Sequence, residues 1–429
     1  MKTFKLYTLG CKVNQYETQA IREDFIANGF KEVNSQRPAD IYVINSCTVT
    51  SRADSKSLEL IRRARKQNHR AEIVLTGCLV NVDTANLRRQ TKVNFMLNNQ
   101  FKNRLVDMIK NKKTLGKVTA KFIPLKVSDF KNHSRAFVKI QDGCNNRCAY
   151  CKIPLVRGKS RSRPLPEIKE EVGRLVKKGF QEIVLTGICL GDYGQDLDNR
   201  DVVSGDLAAV IDSLEGIKGN FRIRLSSIEA KDVTDRLIVK LTQSEKLCPH
   251  LHIPFQSGDD EILRKMQRNY SVRDYLRVVK NIKKKLPRAA ITTDIMVGFP
   301  GEQEKHFQNT LRFIGQISPS RIHVFPFSPR PETLAFSLTE RVRAETVKKR
   351  EKVLLALATE KAVTYYKGFI NQALTVLTEH KRDKDSGWLK GYAENYIPVV
   401  FPGPDSLMGK LVGVKIIGVE DTKVIGRRK

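Results

Sequence analysis

The 429-residue chain has one tryptophan, eight cysteines and only 46 acidic side chains against 77 lysines and arginines. It lacks any apolar run long enough to span a bilayer, which excludes a transmembrane helix and argues against a membrane partner. Its opening, Met1 to Gly10, has neither the apolar stretch nor the small-residue cleavage site of a secretion signal, so a cytoplasmic location is expected. Few cysteines in a reducing compartment do not form a disulfide framework; any that cluster point to metal ligation or catalysis. The shortage of acidic residues leaves a formal net charge of +31. Solubility does not require so large a field, and it concentrates polyanions, of which nucleic acid is the commonest large one. The composition, 40% hydrophobic and 29% charged, is ordinary for a globular protein. The length predicts two or three domains.

What the chain does have is a concentration of thiols. Cys144, Cys148 and Cys151 lie in Gln-Asp-Gly-Cys-Asn-Asn-Arg-Cys-Ala-Tyr-Cys. A Cys-x3-Cys-x2-Cys loop offers three thiolates to one side of a metal centre and withholds a fourth, unlike the closed four-ligand set of structural zinc or electron-carrier clusters. A zinc ribbon with a remote fourth ligand is the plainer alternative. With Tyr150 before the last cysteine, the loop resembles the signature of radical S-adenosylmethionine enzymes. That resemblance implies a 4Fe-4S cluster whose unique iron chelates the amino and carboxylate groups of S-adenosyl-L-methionine. Arg157, Lys159, Arg161 and Arg163 follow closely, which predicts positive charge at the rim of the site and a phosphate-bearing substrate. The other basic runs, Arg62 to Lys66, Lys283 to Lys285 and Lys348 to Arg350, read as solvated helix faces.

Periodicity divides the chain into an α/β region at 1–115, a second at 130–360 and an all-β region at 364–429, with a polar, Lys-rich linker over about 111–134. In the first, β-rich runs at 4–9, 41–44, 73–75 and 93–97 alternate with helical stretches at 17–28 and 55–67, the pattern of an open parallel sheet. Cys11, Cys47 and Cys78 each follow one of its first three strands. Carboxyl ends of such strands share an edge where ligands bind, so the three thiols are expected to converge as a second three-ligand site. The middle region predicts six strands joined by helices, as a doubly wound sheet or an incomplete barrel, with the Cys144 loop at the end of its first strand. Residues after the later strands suit a cofactor pocket: Gly187 for close backbone approach, Ser227 and Glu229 for a ribose or an amino group, and Gln256. His250 and His252 form a His-x-His read as packing, with no further ligand nearby. Cys189 and Cys248 are read as spare thiols.

Thr8 to Thr18, Asn45 to Thr50, Thr76-Gly77-Cys78, the radical loop and Arg157-Gly158 to Arg161-Ser162-Arg163-Pro164 resemble the radical S-adenosylmethionine methylthiotransferases over essentially the whole chain. Gly10-Cys11-Lys12-Val13-Asn14, Cys248 to Gly258 and Ile291 to Glu302 are most similar to the bacterial branch acting on N6-threonylcarbamoyladenosine in tRNA. Two positions depart from the family pattern: Leu79-Val80-Asn81 after Cys78, and Cys189 where histidine is common.

The resemblance implies a central partial (β/α)6 barrel and two 4Fe-4S clusters, one on Cys144, Cys148 and Cys151 and the other on Cys11, Cys47 and Cys78. It implies a 5′-deoxyadenosyl radical that abstracts hydrogen from C2 of the modified adenine beside the anticodon, sulfur supplied by the second cluster, and a methyl group from another S-adenosylmethionine. No side-chain acid or base is required. The implied partners are tRNA and an electron donor such as flavodoxin or ferredoxin, the sulfur source staying open. The last region resembles a TRAM domain, a small β-barrel that binds RNA. Trp388, Tyr392 and Tyr396 there are placed either on unpaired bases or in the core. Isopentenyladenosine or a ribosomal-protein aspartate as substrate, and a non-enzymatic Fe-S RNA-binding protein, are the alternatives.

Overall fold

Strands β1 (Thr3–Thr8), β2 (Lys31–Glu32), β3 (Ile41–Ser46), β4 (Glu72–Gly77) and β5 (Phe95–Leu97) form the sheet that carries the dispersed cysteines. All its pairings are parallel, in the order β2-β1-β3-β4-β5. β3 is buried along its entire length, as a run of mainly apolar residues covered on both faces must be. Helices α1 (Lys12–Ala27) and α2 (Ser51–Gln67) follow β1 and β3. The α2 terminus is set by Thr50, whose side chain accepts from the Ala53 N–H, with Asp54 in the first turn. α1 begins well before the predicted Glu17: Cys11 is its N-cap residue. The structure is a computed structural model that describes residues 1–34, 36–82, 84–111, 122–131, 133–197 and 205–429. Residues 112–121 of the expected linker lie outside the described residues.

The central region settles the choice between sheet and barrel. β6 (Ala136–Lys139), β9 (Glu182–Thr186) and β10 (Arg222–Leu225) form one parallel set, and β11 (His250–His252), β12 (Ala290–Val297) and β13 (Arg321–Pro326) a second. Parallel bridges at Ile223–Leu247 and Ser227–His252 join them. Six parallel strands thus run in sequence order around an open arch, with their helices outside and one buried apolar core between. Between β6 and β9, β7 (Gln141–Asp142) and β8 (Arg161–Ser162) make a short antiparallel pair that brackets the Cys144 loop.

After the long helix Ala344–Lys367, β14 (Ala373–Arg382), β15 (Leu389–Ala393), β16 (Pro398–Phe401), β17 (Leu411–Glu420) and β18 (Lys423–Arg428) close into a barrel. β18 is a strand the periodicity did not mark. The small barrel seats on the arch through buried arginines. Arg222 donates to the Thr375 and Tyr392 carbonyls at 2.7 and 2.8 Å, and Arg224 to Glu394 and Ala393 at 2.9 and 3.0 Å. Both also pair with the buried Glu182 carboxylate. Tyr392 and Tyr396 stack on each other at 4.9 Å, beneath the Arg135 and Arg224 guanidiniums. They belong to this seam and are not free to stack on bases. No helix of the described residues is long and apolar enough to cross a membrane.

Candidate functional site

The Cys144 loop leaves β7 through Gly143, whose φ is +76°. A Cβ there would stand 2.0 Å from the Lys159 carbonyl oxygen, so only glycine allows the chain to enter the loop. The loop is held at both ends by backbone bonds: Cys144 N–H to the Gly158 carbonyl at 3.1 Å, and Ala149 N–H to the Met266 carbonyl at 2.9 Å. The N–H groups of Asn146 and Ile153 donate to the Cys144 and Cys151 sulfurs, both at 3.4 Å. Burial pushes the Cys151 thiol up to about 12, a cost that a metal removes by binding the thiolate. Arg268 donates to the Cys148 sulfur at 3.2 Å and pairs with Glu229. Sequence reasoning missed Arg268, because it sits in an unremarkable turn between two helices.

Tyr150 packs edge-on against Phe299, with ring centroids 6.5 Å apart. It lines a cavity of about 490 Å³ together with Cys151, Gln256, Asp294 and Phe327 of the arch and Val49 and Thr50 from the Cys47 turn. Gln256 adopts φ +72°, and its buried Oε1 has no protein partner. Ser226 Oγ is likewise buried without a partner, and Ser227 forms the bridge to His252. Burial raises the Glu229 carboxyl against the pull of Arg268. Gly187 answers to a different constraint from the one expected. A Cβ on it would meet the Gln141 carboxamide oxygen at 2.8 Å, and that oxygen accepts from the Ile188 and Cys189 N–H groups at 2.9 Å. Its smallness serves Gln141.

The dispersed cysteines follow the carboxyl ends of β1, β3 and β4 and come together there. β1 and β3 flank the point where the sheet order reverses, the usual ligand crevice of such sheets. A Cβ on Gly10 would lie 2.9 Å from the Cys47 sulfur. The Cys11 and Cys78 thiols each oppose ionisation of Cys47, whose thiol burial pushes up to about 11. Each cysteine turn is tied to the arch. Beside Cys11, Asn14 accepts from Arg157 at 2.6 Å. Beside Cys47, Thr48 accepts from the buried Arg330 at 2.8 Å, and Arg330 also pairs with Asp54. Beside Cys78, Asn81 and Asn99 donate to the Val156 carbonyl at 2.6 and 3.1 Å, and the Asn99 side chain lies 3.7 Å from the Cys78 sulfur.

Three expectations change. Arg157, Arg161 and Arg163 are not rim charges for a substrate phosphate: they are 2%, 8% and 2% exposed. Arg157 and Arg163 bind Glu17 and Glu171, buried carboxylates that must be neutralised; Lys159 alone of the run is exposed. His250 packs as expected, against Tyr396 at 4.8 Å, but His252 has neighbours that sequence distance concealed. Its ring lies 3.3 Å from Asp294, and His323 completes a set whose ligand atoms fall within 4.8 Å of one another. Cys189 lies with Cys144 and Asp192 in another such set, and its hydrogen bond lowers the Cys144 thiol. Cys248 is buried.

The sequence profile of the Radical SAM superfamily matches residues 138–314, and that described as uncharacterized protein family UPF0004 matches residues 3–98. A threonylcarbamoyladenosine tRNA methylthiotransferase of Bacillus subtilis is 38% identical, over 97% of this chain and 94% of its own. One from Thermotoga maritima is 38% identical over 100% and 97%. A tRNA-2-methylthio-N6-dimethylallyladenosine synthase of Pelotomaculum thermopropionicum is 31% identical over 99% and 97%. Among solved structures, the radical S-adenosylmethionine methyltransferase TsrM of Kitasatospora setae superposes with a TM-score of 0.55 at 11% identity, over 78% of this chain and 76% of that one, a likeness of fold. The arch, the open three-cysteine loop at its first strand end and the full-length identity lead to one conclusion: the chain belongs to the radical S-adenosylmethionine methylthiotransferases.

Proposed function

We propose that the protein adds a methylthio group to C2 of N6-threonylcarbamoyladenosine, 3′-adjacent to the anticodon of tRNA. The carrying observation is one cavity walled by both cysteine regions, the Cys151 turn and the Cys47 turn, in a chain 38% identical over its length to enzymes named for that substrate. The donor chemistry fits the cofactors of the family. N–H groups and a guanidinium already point at the Cys144, Cys148 and Cys151 sulfurs, the bonds that stabilise thiolate ligands of a cluster. When bound, the 4Fe-4S cluster on this loop supplies reductive cleavage of S-adenosyl-L-methionine, and the one on Cys11, Cys47 and Cys78 supplies sulfur.

The chain's own residues bind and orient. The unpartnered Gln256 Oε1 and Ser226 Oγ are free to take hydrogen bonds from S-adenosylmethionine, with Ser227 and Glu229 beside them. Tyr150 and Phe327 line the cavity with aromatic surface. Gly187 holds the neighbouring backbone close to Gln141. In the C-terminal barrel Lys415 stands opposite Arg427 across β17 and β18. Like charges in register repel, and an RNA backbone relieves the repulsion. Reduction falls to a small one-electron carrier such as flavodoxin or ferredoxin, and the reaction is placed in the cytoplasm, where tRNA is.

The test uses anaerobically reconstituted enzyme, S-adenosylmethionine, a low-potential reductant and tRNA carrying threonylcarbamoyladenosine, followed by mass spectrometry of the nucleosides. The 2-methylthio derivative of threonylcarbamoyladenosine is expected. Conversion of isopentenyladenosine alone would overturn the substrate, and absence of S-adenosylmethionine cleavage at full iron loading would overturn the chemistry.

A further inference from the structure

The buried arginines of the Arg157 to Arg163 run leave a charge to be accounted for. Five ionisable side chains meet where α1, the Lys102 turn, β6, β7 and the helix Ile153–Arg157 converge. Arg157 reaches Glu17 at 3.0 and 3.2 Å, Asp142 at 2.8 Å and Asn14 at 2.6 Å. Lys139 reaches Glu17 at 2.8 Å and Asp142 at 2.9 Å, and Lys102 pairs with Glu17. All five are at most 4% exposed. Three cations face two carboxylates, an excess of one positive charge, and Arg161, 3.9 Å from Asp142, raises it to two.

An uncompensated charge so deep is costly, and a counter-ion nearby lowers that cost. Arg157 is the member that cannot shed its charge: a guanidinium stays protonated in any protein setting, whereas burial lowers the Lys102 ammonium. The excess faces the dispersed cysteines. Asn14, which accepts from Arg157, donates to the Leu9 and Ser46 carbonyls at 2.7 and 2.9 Å, just ahead of Cys11 and Cys47. The Val156 carbonyl beside Arg157 accepts from Asn99, which lies 3.7 Å from the Cys78 sulfur, and Glu17 lies about one and two-thirds turns along the helix that Cys11 caps. A 4Fe-4S core in its 2+ state with three thiolates carries a net charge of about −1. The network's excess opposes it in sign.

We propose that Arg157 is a positioning residue shared by the two cysteine sites. Its guanidinium supplies the buried positive charge that balances the cluster on Cys11, Cys47 and Cys78, and through Asp142 it fixes the strand leading into the Cys144 loop. The proposal rests on the reading of those three cysteines as cluster ligands.

The test isolates that cluster in full-length protein carrying Cys144→Ser, Cys148→Ser and Cys151→Ser, and follows its midpoint potential by EPR-monitored titration. Arg157→Gln removes a cation, so adding an electron becomes harder and the potential falls. Glu17→Gln removes an anion, and the potential rises. The double variant returns close to the parent, and Arg157→Lys, which keeps the charge, stays near it. If Arg157→Gln does not fold, Lys102→Gln must lower the potential in its place. Shifts of one sign in every variant would mean a merely structural role, and equal potentials throughout would mean no electrostatic one; either overturns the proposal while the cluster stands. Loss of all iron from the parent triple variant would instead overturn the assignment of Cys11, Cys47 and Cys78.

Discussion

Cys144, Cys148 and Cys151 are brought together by one turn of chain between β7 and β8, whereas Cys11, Cys47 and Cys78 are separated by whole strand-helix units and meet only because their strands are parallel neighbours. The first set carries most of its own scaffold: two of its N–H···S bonds come from residues two positions away, and one, from Arg268, reaches in from elsewhere. The second borrows support from across the molecule, through Arg157, Arg330 and the Val156 carbonyl. A local site tolerates loosening elsewhere, and an assembled one inherits every weakness of the seam that holds it.

Removing one ligand from each set draws this contrast most sharply. Cys148→Ala is expected to abolish S-adenosylmethionine cleavage. Cys47→Ala is expected to leave 5′-deoxyadenosine formation and to abolish methylthio product. Each should lower iron from about eight to about four per chain. Product analysis beside iron assay reads both, and cleavage by the Cys148 variant would refute the division of labour.

The same contrast explains what the sequence disclosed. The Cys144 loop was legible because its ligands, spacing and aromatic neighbour lie within one short segment. The dispersed trio was legible at one remove, since buried parallel strands announce themselves as apolar runs and their carboxyl ends share an edge. The fate of Arg157, Arg161 and Arg163 was not, because a sequence does not say whether an arginine meets water or a carboxylate from elsewhere in the chain, as Glu17 meets Arg157. Arg268 and the grouping of His252 with Asp294 and His323 stayed hidden for the same reason, long sequence separation. β18 escaped because Lys423 and Arg427-Arg428 mask a short alternation of buried Val424 and Gly426.

Glycines extend the comparison to the backbone. Gly77, before Cys78, has φ +97° and would place a Cβ 2.3 Å from the Ser46 carbonyl oxygen. Gly158, beyond the radical loop, has φ +76° with nothing within 4 Å. Gly158→Ala should cost about 1 to 3 kcal/mol of backbone strain and leave both sites loaded. Gly77→Ala adds a backbone clash between β3 and β4 and should cost more than about 3 kcal/mol, with iron lost from the dispersed site first. Denaturant unfolding and EPR of the two variants check the order.

Arg330→Ala is expected to act through one seam alone. It removes the donors to Thr48 and Ser51 and the partner of Asp54. Hydrogen bonds to a charged group are worth about 1.5 to 3 kcal/mol, reduced here because Asp54 is partly solvated. The loss should appear as weaker retention of the dispersed cluster during chelation, with retention of the radical cluster unchanged. Equal release from both sites would refute the seam's selectivity.

The smallest effect is expected at the other seam, which touches neither set. Burial, reinforced by Arg224 and by His252 and Lys12, holds the His250 imidazole well below its ordinary value, so it is neutral in the folded chain. Unfolding frees it to take a proton below about pH 6.5. The unfolded state then binds more protons, and stability falls as pH drops through 6.5, by at most about 1.4 kcal/mol per unit, toward the depressed folded value. His250→Gln should flatten this slope between pH 7 and 5.5 in thermal unfolding. Because His250 packs against Tyr396 of the C-terminal barrel, the slope should be the same with clusters loaded or removed. A slope that changes with loading would mean that the seam of the C-terminal barrel and the cysteine sites unfold as one unit.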